Sequence, residues 1–413
     1  MYFNEDQLSD SLMIDNLSCY VSISEFTLDK LYEKASVVLF GNKEVFSCKN
    51  YFGCHLYRFF PALEKTLSYV HLADLPTPVR GLKKVGEKIG CKNLYIKRDD
   101  LSGEKVAGKN YRFFGGNKVR TLEFLLGQAI SHGCKTVMTI GSAGSNHALA
   151  TAVCAHKVGL KSVSILMSQE KNDIVQRNIL LGKYYGAQLH HFNEWDESVS
   201  GIAEQFFNLK EKEGIFPYYI PFGGSCNIGG VGFVNAAFEL KMQVKEGILP
   251  EPDFIYVPSH SMGTTAGLVL GLKVAGLKTK VVSVRTSHDP CKSKIVEISN
   301  KINKFLHEKD KSFPLFTIRE EDFVFEEECM GEGYACQTKE GKEACQLMKD
   351  CENIELDLTY SGKAFSAIVA HARKKLLQNK VVLFWNTFCG YSYDEIISQV
   401  DYTSLSVEFH KYF

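Results

Sequence analysis

From Leu94 onward, short apolar runs alternate with longer segments in which apolar residues recur every three or four positions. Strands are predicted for the runs NLYIKRDD, TVMTIG, KSVSILMS, AQLHHF, DFIYVPSH and KVVSVRTS. The helix predicted after Asn117 carries one apolar face, made of Leu122, Leu125, Leu126, Ala129 and Ile130. Further helices are predicted for ALATAVCAHKVGL, DIVQRNILLGKYYGA and AGLVLGLKVAGL. Strands that alternate with such helices indicate an α/β fold with parallel sheets covered on both faces.

The first 75 residues lack this alternation. They are rich in aromatic residues and cysteine, as at Tyr51, Phe52, Cys54, Tyr57, Phe59 and Phe60. We therefore expect a folded N-terminal extension, and a total of 413 residues favours two domains beyond a single compact core.

Charge and cysteine content exclude several classes of protein. The 48 basic and 48 acidic residues balance, so we expect no nucleic-acid partner and no membrane-surface partner. The N-terminus, MYFNEDQLSDS, is acidic where a targeting peptide would be basic, and no apolar run approaches the ~20 residues of a membrane span. The 13 cysteines form no CxxC pair, which favours reduced thiols in a cytoplasmic protein. No metal-ligand spacing occurs, so no metal site is predicted.

In α/β folds, ligands bind where strands end and helices begin. The loop GGNK (115–118) places Lys118 at a helix start, behind two residues without side chains. A neutral lysine amine can form a Schiff base with an aldehyde cofactor, and the glycines would let a bulky planar cofactor approach. The alternative is a solvated lysine, although the helix dipole disfavours a fixed positive charge there.

Two further loops have similar positions. In IGSAGSNHALA (140–150), Ser145 and Asn146 lie at a helix start, where backbone N–H groups could hold a carboxylate or where both residues are simple caps. In VPSHSMGTTAGL (257–268), the hydroxyls of Ser259, Ser261, Thr264 and Thr265 and the amides around Gly263 offer a phosphate cradle; the alternative is an ordinary turn. Together, one lysine, one carboxylate site and one phosphate site indicate pyridoxal 5'-phosphate with a small amino-acid substrate.

The order YIKRDDLSG, GGNKVRTLEFLL and TIGSAGSNHALATA resembles the D-cysteine desulfhydrase and 1-aminocyclopropane-1-carboxylate deaminase family of fold type II pyridoxal phosphate enzymes. The resemblance runs from about Leu75 to about Tyr393. It implies a two-domain, three-layer αβα fold like that of the tryptophan synthase β subunit, and a homodimer. It also implies a large domain of residues 76–120 and 225–413 and a small domain of residues 121–224, after an extension of residues 1–75 with no counterpart.

The resemblance also implies roles for individual residues. Lys118 would be the Schiff-base lysine, Asn146 would bond the 3′-oxygen of the cofactor, and Ser145, Asn146 and His147 would hold the substrate carboxylate. GEGYACQ places Tyr334 over the cofactor, LDLTYSGKAF places Tyr360 near the substrate, and VVLFWNTFCG turns Thr387 toward the pyridine nitrogen. Lys118, Tyr334, Tyr360 and Ser145 are thus the candidate catalytic residues.

Departures from the family pattern concern the phosphate loop and the ring site. The family loop usually reads SGSGGTxAGL, whereas His260 and Met262 replace two glycines here, and a Cβ is costly where φ must be positive. NTFCG in place of HTGG puts Phe388 beside the ring, and about ten residues, 104–113, are inserted before the lysine loop. These departures bear on catalytic efficiency more than on cofactor binding.

Two positions favour the desulfhydrase branch. The deaminase branch has SNQ where this chain has Ser145–Asn146–His147, and a glutamate near the pyridine nitrogen where Ser361 stands. We therefore predict a lyase that eliminates from the β-carbon, converting D-cysteine into pyruvate, hydrogen sulfide and ammonia, with Lys118 as general base and Tyr334 or Tyr360 as acid. The alternatives are 1-aminocyclopropane-1-carboxylate deaminase or another lyase of a small amino acid, and a degenerate, non-enzymatic binding protein of the same fold.

Overall fold

The computed structural model describes residues 54–109 and 111–413, which form two sheets surrounded by helices. The strands are β1 (Val79–Gly81), β2 (Leu94–Arg98), β3 (Thr136–Ser142), β4 (Lys161–Met167), β5 (Gln188–Phe192), β6 (Tyr218–Ile220), β7 (Phe254–Ser259), β8 (Lys280–Arg285), β9 (Val324–Glu326) and β10 (Val382–Asn386). All the strands predicted from apolar runs are present.

The helices are α1 (Leu56–Phe59), α2 (Leu63–Thr66), α3 (Lys83–Ile89), α4 (Lys118–Ser131), α5 (Asn146–Lys157), α6 (Asp173–Tyr184), α7 (Trp195–Glu213), α8 (Asn227–Lys245), α9 (Gly263–Ala275), α10 (Lys292–Lys309), α11 (Lys339–Glu352), α12 (Ser361–Arg373) and α13 (Asp394–Ile397). Short 3₁₀ turns lie at Asp99–Leu101, Phe222–Gly224, Glu320–Asp322, Tyr402–Ser404 and Val407–Tyr412.

The larger sheet has six strands in the order β1-β2-β10-β7-β8-β9, and every pair is parallel except β1 with β2. Its strands bury both faces, because successive side chains point to opposite sides. In β10, Val382 and Phe384 pack with helices α3, α11 and α12, whereas Leu383 and Trp385 pack with α4, α8, α9 and α10. The result is a sheet between two layers of helices.

The smaller sheet has four parallel strands in the order β5-β4-β3-β6. Met138 and Ile140 on one face pack with α7, and Val137 on the other face packs in the cluster that includes α4 and α5. Mixed α/β architecture with parallel-rich sheets is thus confirmed. Division into domains at residues 120 and 225 stays a prediction.

Part of the N-terminal extension lies within the described residues. Cys54 and Tyr57 are buried in the core beside α4 and α8, and Phe59 contacts the ring of Phe238. Tyr51 and Phe52, which also motivated the prediction of a folded extension, lie outside the described residues. The 104–113 insertion pairs Lys105 with Arg112 in a short antiparallel bridge.

Membrane, disulfide and metal sites can be examined over the same residues. Among the helices of residues 54–413, none combines the length and apolar character that a membrane span requires. The cysteines described are free thiols. Over these residues, no group of three or more histidine, cysteine, aspartate and glutamate side chains is arranged to hold a metal ion.

Candidate active site

A cleft of about 790 Å³ of empty volume lies where the strands of both sheets end and helices begin. The residues predicted for the site that line it are Lys118, Ser145, Asn146, His147, Ser261, Thr264, Thr265, Tyr334, Tyr360 and Thr387. Positions separated by up to 269 residues in the sequence therefore meet in one cavity. His260, Met262 and Phe388 also line the cleft.

The two glycines before Lys118 are required by close backbone packing. Gly116 has φ +81°, and a Cβ there would lie 2.6 Å from the carbonyl oxygen of Thr387. A Cβ on Gly115 would lie 2.5 Å from the amide nitrogen of Gly103. The amide of Asn117 donates to the same Thr387 carbonyl at 3.2 Å, which fixes the start of α4 and therefore Lys118.

The amine of Lys118 faces the cleft without a counter-charge. Its Nζ donates to the Gly223 carbonyl at 3.5 Å, and it forms no ion pair with any described residue. Burial lowers the pKa of Lys118 to about 8, so about a tenth of the amine is neutral and nucleophilic at pH 7, far more than for an ordinary lysine. Lys118 is half-buried in the cleft, which favours the cofactor-binding interpretation over a solvated surface lysine.

Two histidines near this amine are neutral as well. Burial, reinforced by the Lys118 charge, lowers the pKa of His147 well below its usual range, and both ring nitrogens of His147 lack a partner within the described chain. Burial also lowers the pKa of His260 to about 4. An unpartnered buried imidazole is costly in an apolar interior, which indicates that a ligand completes its hydrogen bonds.

The helix start at 145–147 has one residue that caps the helix and one that is free to bind a ligand. Ser145 is the N-cap of α5, because its Oγ accepts the amide of Ala148 at 3.2 Å. Asn146 is the first helical residue, and its Oδ1 accepts from Asn178 Nδ2 at 3.0 Å and Arg177 at 3.4 Å. The amide NH₂ of Asn146 is the end that remains for a ligand.

The proposed phosphate loop is only partly exposed to the cleft. Ser261, Thr264 and Thr265 line it at the N-terminus of α9, where first-turn amides have no intrahelical partner. Ser259 is buried, accepts from the Thr265 hydroxyl at 3.4 Å, and does not line the cleft. The Gly263 amide donates to Ser225 Oγ at 3.2 Å. The expectation that Ser259 and Gly263 face the cofactor is therefore not met, since neighbouring hydroxyls engage both.

The two residues that replace glycines in this loop differ in their strain. Met262 has φ 64°, in the left-handed region that costs a side-chain-bearing residue about 1–2 kcal/mol. His260 has no such conformation. Its ring stacks on Tyr334 with centroids 4.7 Å apart, and its Nδ1 lies 2.6 Å from Ser287 Oγ.

Two tyrosines form one wall of the cleft. The Tyr360 hydroxyl donates to the Tyr334 hydroxyl at 2.9 Å, and Tyr334 is also 3.3 Å from Ser142 Oγ at the end of β3. Burial raises the pKa of Tyr360 well above its usual range, so Tyr360 remains protonated. Because the Tyr360 hydroxyl donates its proton to Tyr334, the Tyr334 hydroxyl is the one that can donate to a ligand or to Ser142.

Ser361 was expected near the pyridine nitrogen, but it does not line the cleft. Its hydroxyl donates to Asp357 Oδ1 at 2.5 Å, and Asp357 Oδ2 accepts the amides of Thr359 and Tyr360. Ser361 is therefore part of the start of α12. Thr387 does line the cleft, and its hydroxyl makes no hydrogen bond to a described residue.

Sequence reasoning missed Ser142, Gly223 and Asp357, which line the cleft. Asp357 carries a local signal, since an aspartate shortly before a helix start caps that helix. Ser142 and Gly223 carry none, because their place in the site depends on how the two sheets meet.

Comparison with known proteins agrees with this geometry. Residues 70–387 match the family model described as pyridoxal-phosphate dependent enzyme. A protein of Pyrococcus abyssi, provisionally named 1-aminocyclopropane-1-carboxylate deaminase, is 35% identical over 332 residues, covering 79% of this chain and 93% of its own.

Two further relatives extend the comparison. A mitochondrial protein of Arabidopsis thaliana, named bifunctional D-cysteine desulfhydrase/1-aminocyclopropane-1-carboxylate deaminase, is 33% identical over 329 residues, covering 76% of this chain and 77% of its own. A solved structure of an ACC deaminase homologue superimposes with a TM-score of 0.67 at 30% identity, covering 82% of this chain and 98% of its own.

Proposed function

The chain belongs to the pyridoxal-phosphate dependent enzymes, within the group of 1-aminocyclopropane-1-carboxylate deaminases and D-cysteine desulfhydrases, and we propose that it converts D-cysteine into pyruvate, hydrogen sulfide and ammonia. The observation that carries this proposal is the Lys118 amine, which lines the cleft without an ion pair to any described residue and which burial holds partly neutral. A neutral amine is what covalent attachment of an aldehyde cofactor requires.

The residues around the cleft fit pyridoxal phosphate. Lys118 would attach the aldehyde, and the first-turn amides of α9 with Ser261, Thr264 and Thr265 would hold the phosphate. The free NH₂ of Asn146 would donate to the ring oxygen, and the free hydroxyl of Thr387 would face the ring nitrogen. The bound cofactor supplies an electron sink that eases removal of the α-proton of an amino acid.

The chain's own groups would then divide the remaining tasks. The α5 start, with Ser145, Asn146 and His147, would orient the substrate carboxylate. Lys118 Nζ would remove the α-proton, a role that suits an amine with a pKa of about 8. As the Cβ–S bond breaks, the Tyr334 hydroxyl would protonate the departing sulfur, and the released aminoacrylate would hydrolyse to pyruvate and ammonia.

Ring-opening deamination is the second candidate, since the relatives above carry that name as well. Ser361 no longer argues against it as a ring partner, because its hydroxyl bonds Asp357. What still favours desulfhydration is the presence of His147 after Ser145–Asn146, at a position that lines the cleft.

An amino-acid panel tests the proposal. Cofactor-loaded protein should release sulfide, pyruvate and ammonia from D-cysteine faster than from L-cysteine, and faster than it releases ammonia from 1-aminocyclopropane-1-carboxylate. Lys118→Ala should lose both turnover and the visible absorbance of the lysine-bound cofactor. Retained cofactor absorbance without products from any amino acid would instead support a degenerate binding protein.

The cellular setting is proposed on separate grounds. Free cysteines agree with a cytoplasmic protein, and homodimers are the form that the family resemblance implies. Light scattering coupled to size-exclusion chromatography would report a mass near twice 46.4 kDa for a dimer.

A further inference from the structure

The loop that carries Tyr334 has an unusual backbone. It links β9 to α11 with almost no regular structure, and Gly331 and Gly333 have φ of 69° and 150°. Ala335 has φ 60°, in the left-handed region that is strained for a residue with a Cβ. Such a loop keeps one conformation only if other parts of the protein hold it.

Lys363 is the buried group that bonds the backbone of this loop at two points. The side chain is 0% exposed, and Nζ donates to the carbonyl oxygens of Met330 at 2.7 Å, Gly333 at 2.8 Å and Thr286 at 3.3 Å. An ammonium has three N–H donors, so these carbonyls satisfy all of them. Within residues 54–109 and 111–413, Lys363 forms no ion pair.

A lysine ammonium is rarely found in such surroundings. A buried ammonium is expensive without an anion, and Lys363 lies in the first turn of α12, where the helix dipole also disfavours positive charge. Burial accordingly lowers the pKa of Lys363. Three carbonyl oxygens around one cation are instead the surroundings of a bound monovalent metal ion.

The hydrogen bonds to these carbonyls connect the segments that carry Tyr334 and Tyr360. Gly333 directly precedes Tyr334, and Lys363 itself follows Tyr360 by three residues at the start of α12. Thr286 follows the end of β8. One ammonium therefore ties the backbone of Tyr334 to the helix start that places Tyr360, whose hydroxyl donates to Tyr334 at 2.9 Å.

We propose that Lys363 is a positioning residue, a built-in cation that holds Tyr334 and Tyr360 at hydrogen-bonding distance in the cleft. The proposal rests on the proposed function in that these tyrosines serve the reaction there. Lys363 does not contact the substrate in this proposal. It affects the rate only by positioning Tyr334 and Tyr360.

A double-mutant cycle tests this dependence. Kinetics of pyruvate release from D-cysteine would be compared for the unmodified protein, Lys363→Met, Tyr334→Phe and the double variant. Because a displacement of about 1 Å costs up to ~100-fold in rate, we expect Lys363→Met to lower kcat about 10–100-fold with KM changed less than about threefold. In the Tyr334→Phe background, the same change should cost less than about twofold.

Cation rescue is a second readout. In Lys363→Ala, methylammonium chloride should raise kcat at least about fivefold over tetramethylammonium chloride at equal ionic strength, because only the smaller ion presents N–H donors. Lys304→Met is the matched control, since Lys304 is exposed and pairs with exposed Glu308 within α10, outside this loop. It should behave as the unmodified protein in both salts.

A readout without turnover separates this inference from the proposed function. Glu332 is exposed in the same loop, and a glutamate-specific protease should cut there faster in Lys363→Met than in Lys304→Met. If the protein turns over no amino acid, the proposed function fails while loop cleavage still tests the lysine. Unchanged cleavage, unchanged kcat or additive effects in the cycle would overturn the inference. So would loss of the fold in both Lys363→Met and Lys363→Gln, which would show a purely structural role.

Discussion

Lys118 is reactive because its amine has no ion-pair partner among the described residues. Its amine meets the cleft and one long hydrogen bond to a carbonyl, with no carboxylate to stabilise the charged form. Lys97, by contrast, is fully buried beside Glu239 and bonds the Gln243 side chain at 2.8 Å. Of these two buried lysines, the unpaired one is therefore the candidate nucleophile.

The lowered pKa of Lys118 predicts how the cofactor-free protein reacts with pyridoxal phosphate. Only the neutral amine attacks an aldehyde, so the second-order rate of cofactor capture should rise with pH and level off above about 8, the pKa of Lys118. Stopped-flow absorbance gives this rate. An exposed lysine, with a pKa of about 10.4, would give a rate still rising at pH 10. Such a profile would contradict the assignment, and Lys118→Ala supplies the blank.

His260 is a residue whose role depends on contacts far along the chain. Its Nδ1 lies 2.6 Å from Ser287 Oγ, and the Ser287 hydroxyl is also 3.3 Å from Asp289 Oδ2. The ring is thereby fixed in position and stacked on Tyr334. The sequence identified His260 as a departure from glycine, but it could not show a partner 27 residues away.

Two substitutions separate stacking from hydrogen bonding at His260. His260→Phe keeps an aromatic ring against Tyr334, and we expect kcat within about threefold of the unmodified protein. His260→Gly removes the stack, worth about 0.5–1.5 kcal/mol, and should lower kcat about 2–10-fold. Initial rates with D-cysteine measure both. A glycine variant faster than the unmodified protein would show that His260 obstructs the cleft.

At the scale of elements, α6 orients a residue that belongs to α5. Asn178 of α6 is buried, and its Nδ2 donates to Gly144 O at 2.8 Å and to Asn146 Oδ1 at 3.0 Å. Arg177, with its guanidinium 5.6 Å from the ring of Phe114, donates to the same Oδ1. Both donors occupy the oxygen of Asn146, so its NH₂ end is directed to the ligand.

Asn178→Asp should reverse this orientation. A carboxylate there cannot donate to Gly144 or Asn146, and the Asn146 amide would turn its NH₂ toward the new acceptor. We expect cofactor affinity to fall about 10–100-fold, the equivalent of one charge-assisted hydrogen bond of roughly 1.5–3 kcal/mol. Fluorescence titration with pyridoxal phosphate measures the affinity. Asn146→Asp should give a similar loss, and equal affinities for all three proteins would contradict the orientation.

The elements that sequence could predict are those with enough residues to show a period. Helix α4 displays its apolar face over 14 residues, and β3, β4, β7 and β8 are continuous apolar runs. The strands β1, β6 and β9 have three residues each, too few for alternation to appear. Their places are set by the neighbouring strands with which they pair.

The same limit applies to the site. Loops between long elements revealed Lys118, Asn146 and the α9 start, since helix N-termini carry local signals. Ser259 was misjudged because its burial depends on Thr265 and on packing below the loop. Ser361 was misjudged because Asp357, four residues earlier, takes its hydroxyl.

At the scale of the whole molecule, a buried ionic cluster joins segments from the beginning to the end of the fold. Arg120 of α4 bonds Asp99 at 2.7 Å and Glu239 of α8 at 2.9 Å, and Lys97 of β2 also pairs with Glu239. The indole of Trp385 in β10 donates to Asp99 at 2.7 Å. No local pattern predicts this cluster, because its members are spread over 288 residues.

The cluster also includes the first turn of the helix that presents Lys118, since Arg120 follows Lys118 by two residues in α4. Its two cations and two anions balance, and every charged group in it is at most 1% exposed. Removal of one charge would therefore leave an uncompensated buried ion beside the helix start that presents Lys118. Burial alone would raise the pKa of Glu239, but Arg120 and Lys97 hold it far below the usual range.

Glu239→Gln tests how far this cluster supports the molecule. Breaking a buried ion pair on one side costs about 3–5 kcal/mol, and we expect that loss in the free energy of unfolding of the cofactor-free protein, measured in urea. The difference from the unmodified protein should hold from neutral pH down to about 4.5, the ordinary pKa of glutamate, and shrink below it, because the unfolded chain then binds a proton at residue 239 while the folded protein keeps the carboxylate ionised. Glu343→Gln, which breaks the exposed pair with Arg373, should cost at most about 1 kcal/mol. Equal losses in the two variants would show that the cluster contributes no more than a surface pair, and that the start of α4 is held by the Gly116–Thr387 contact instead.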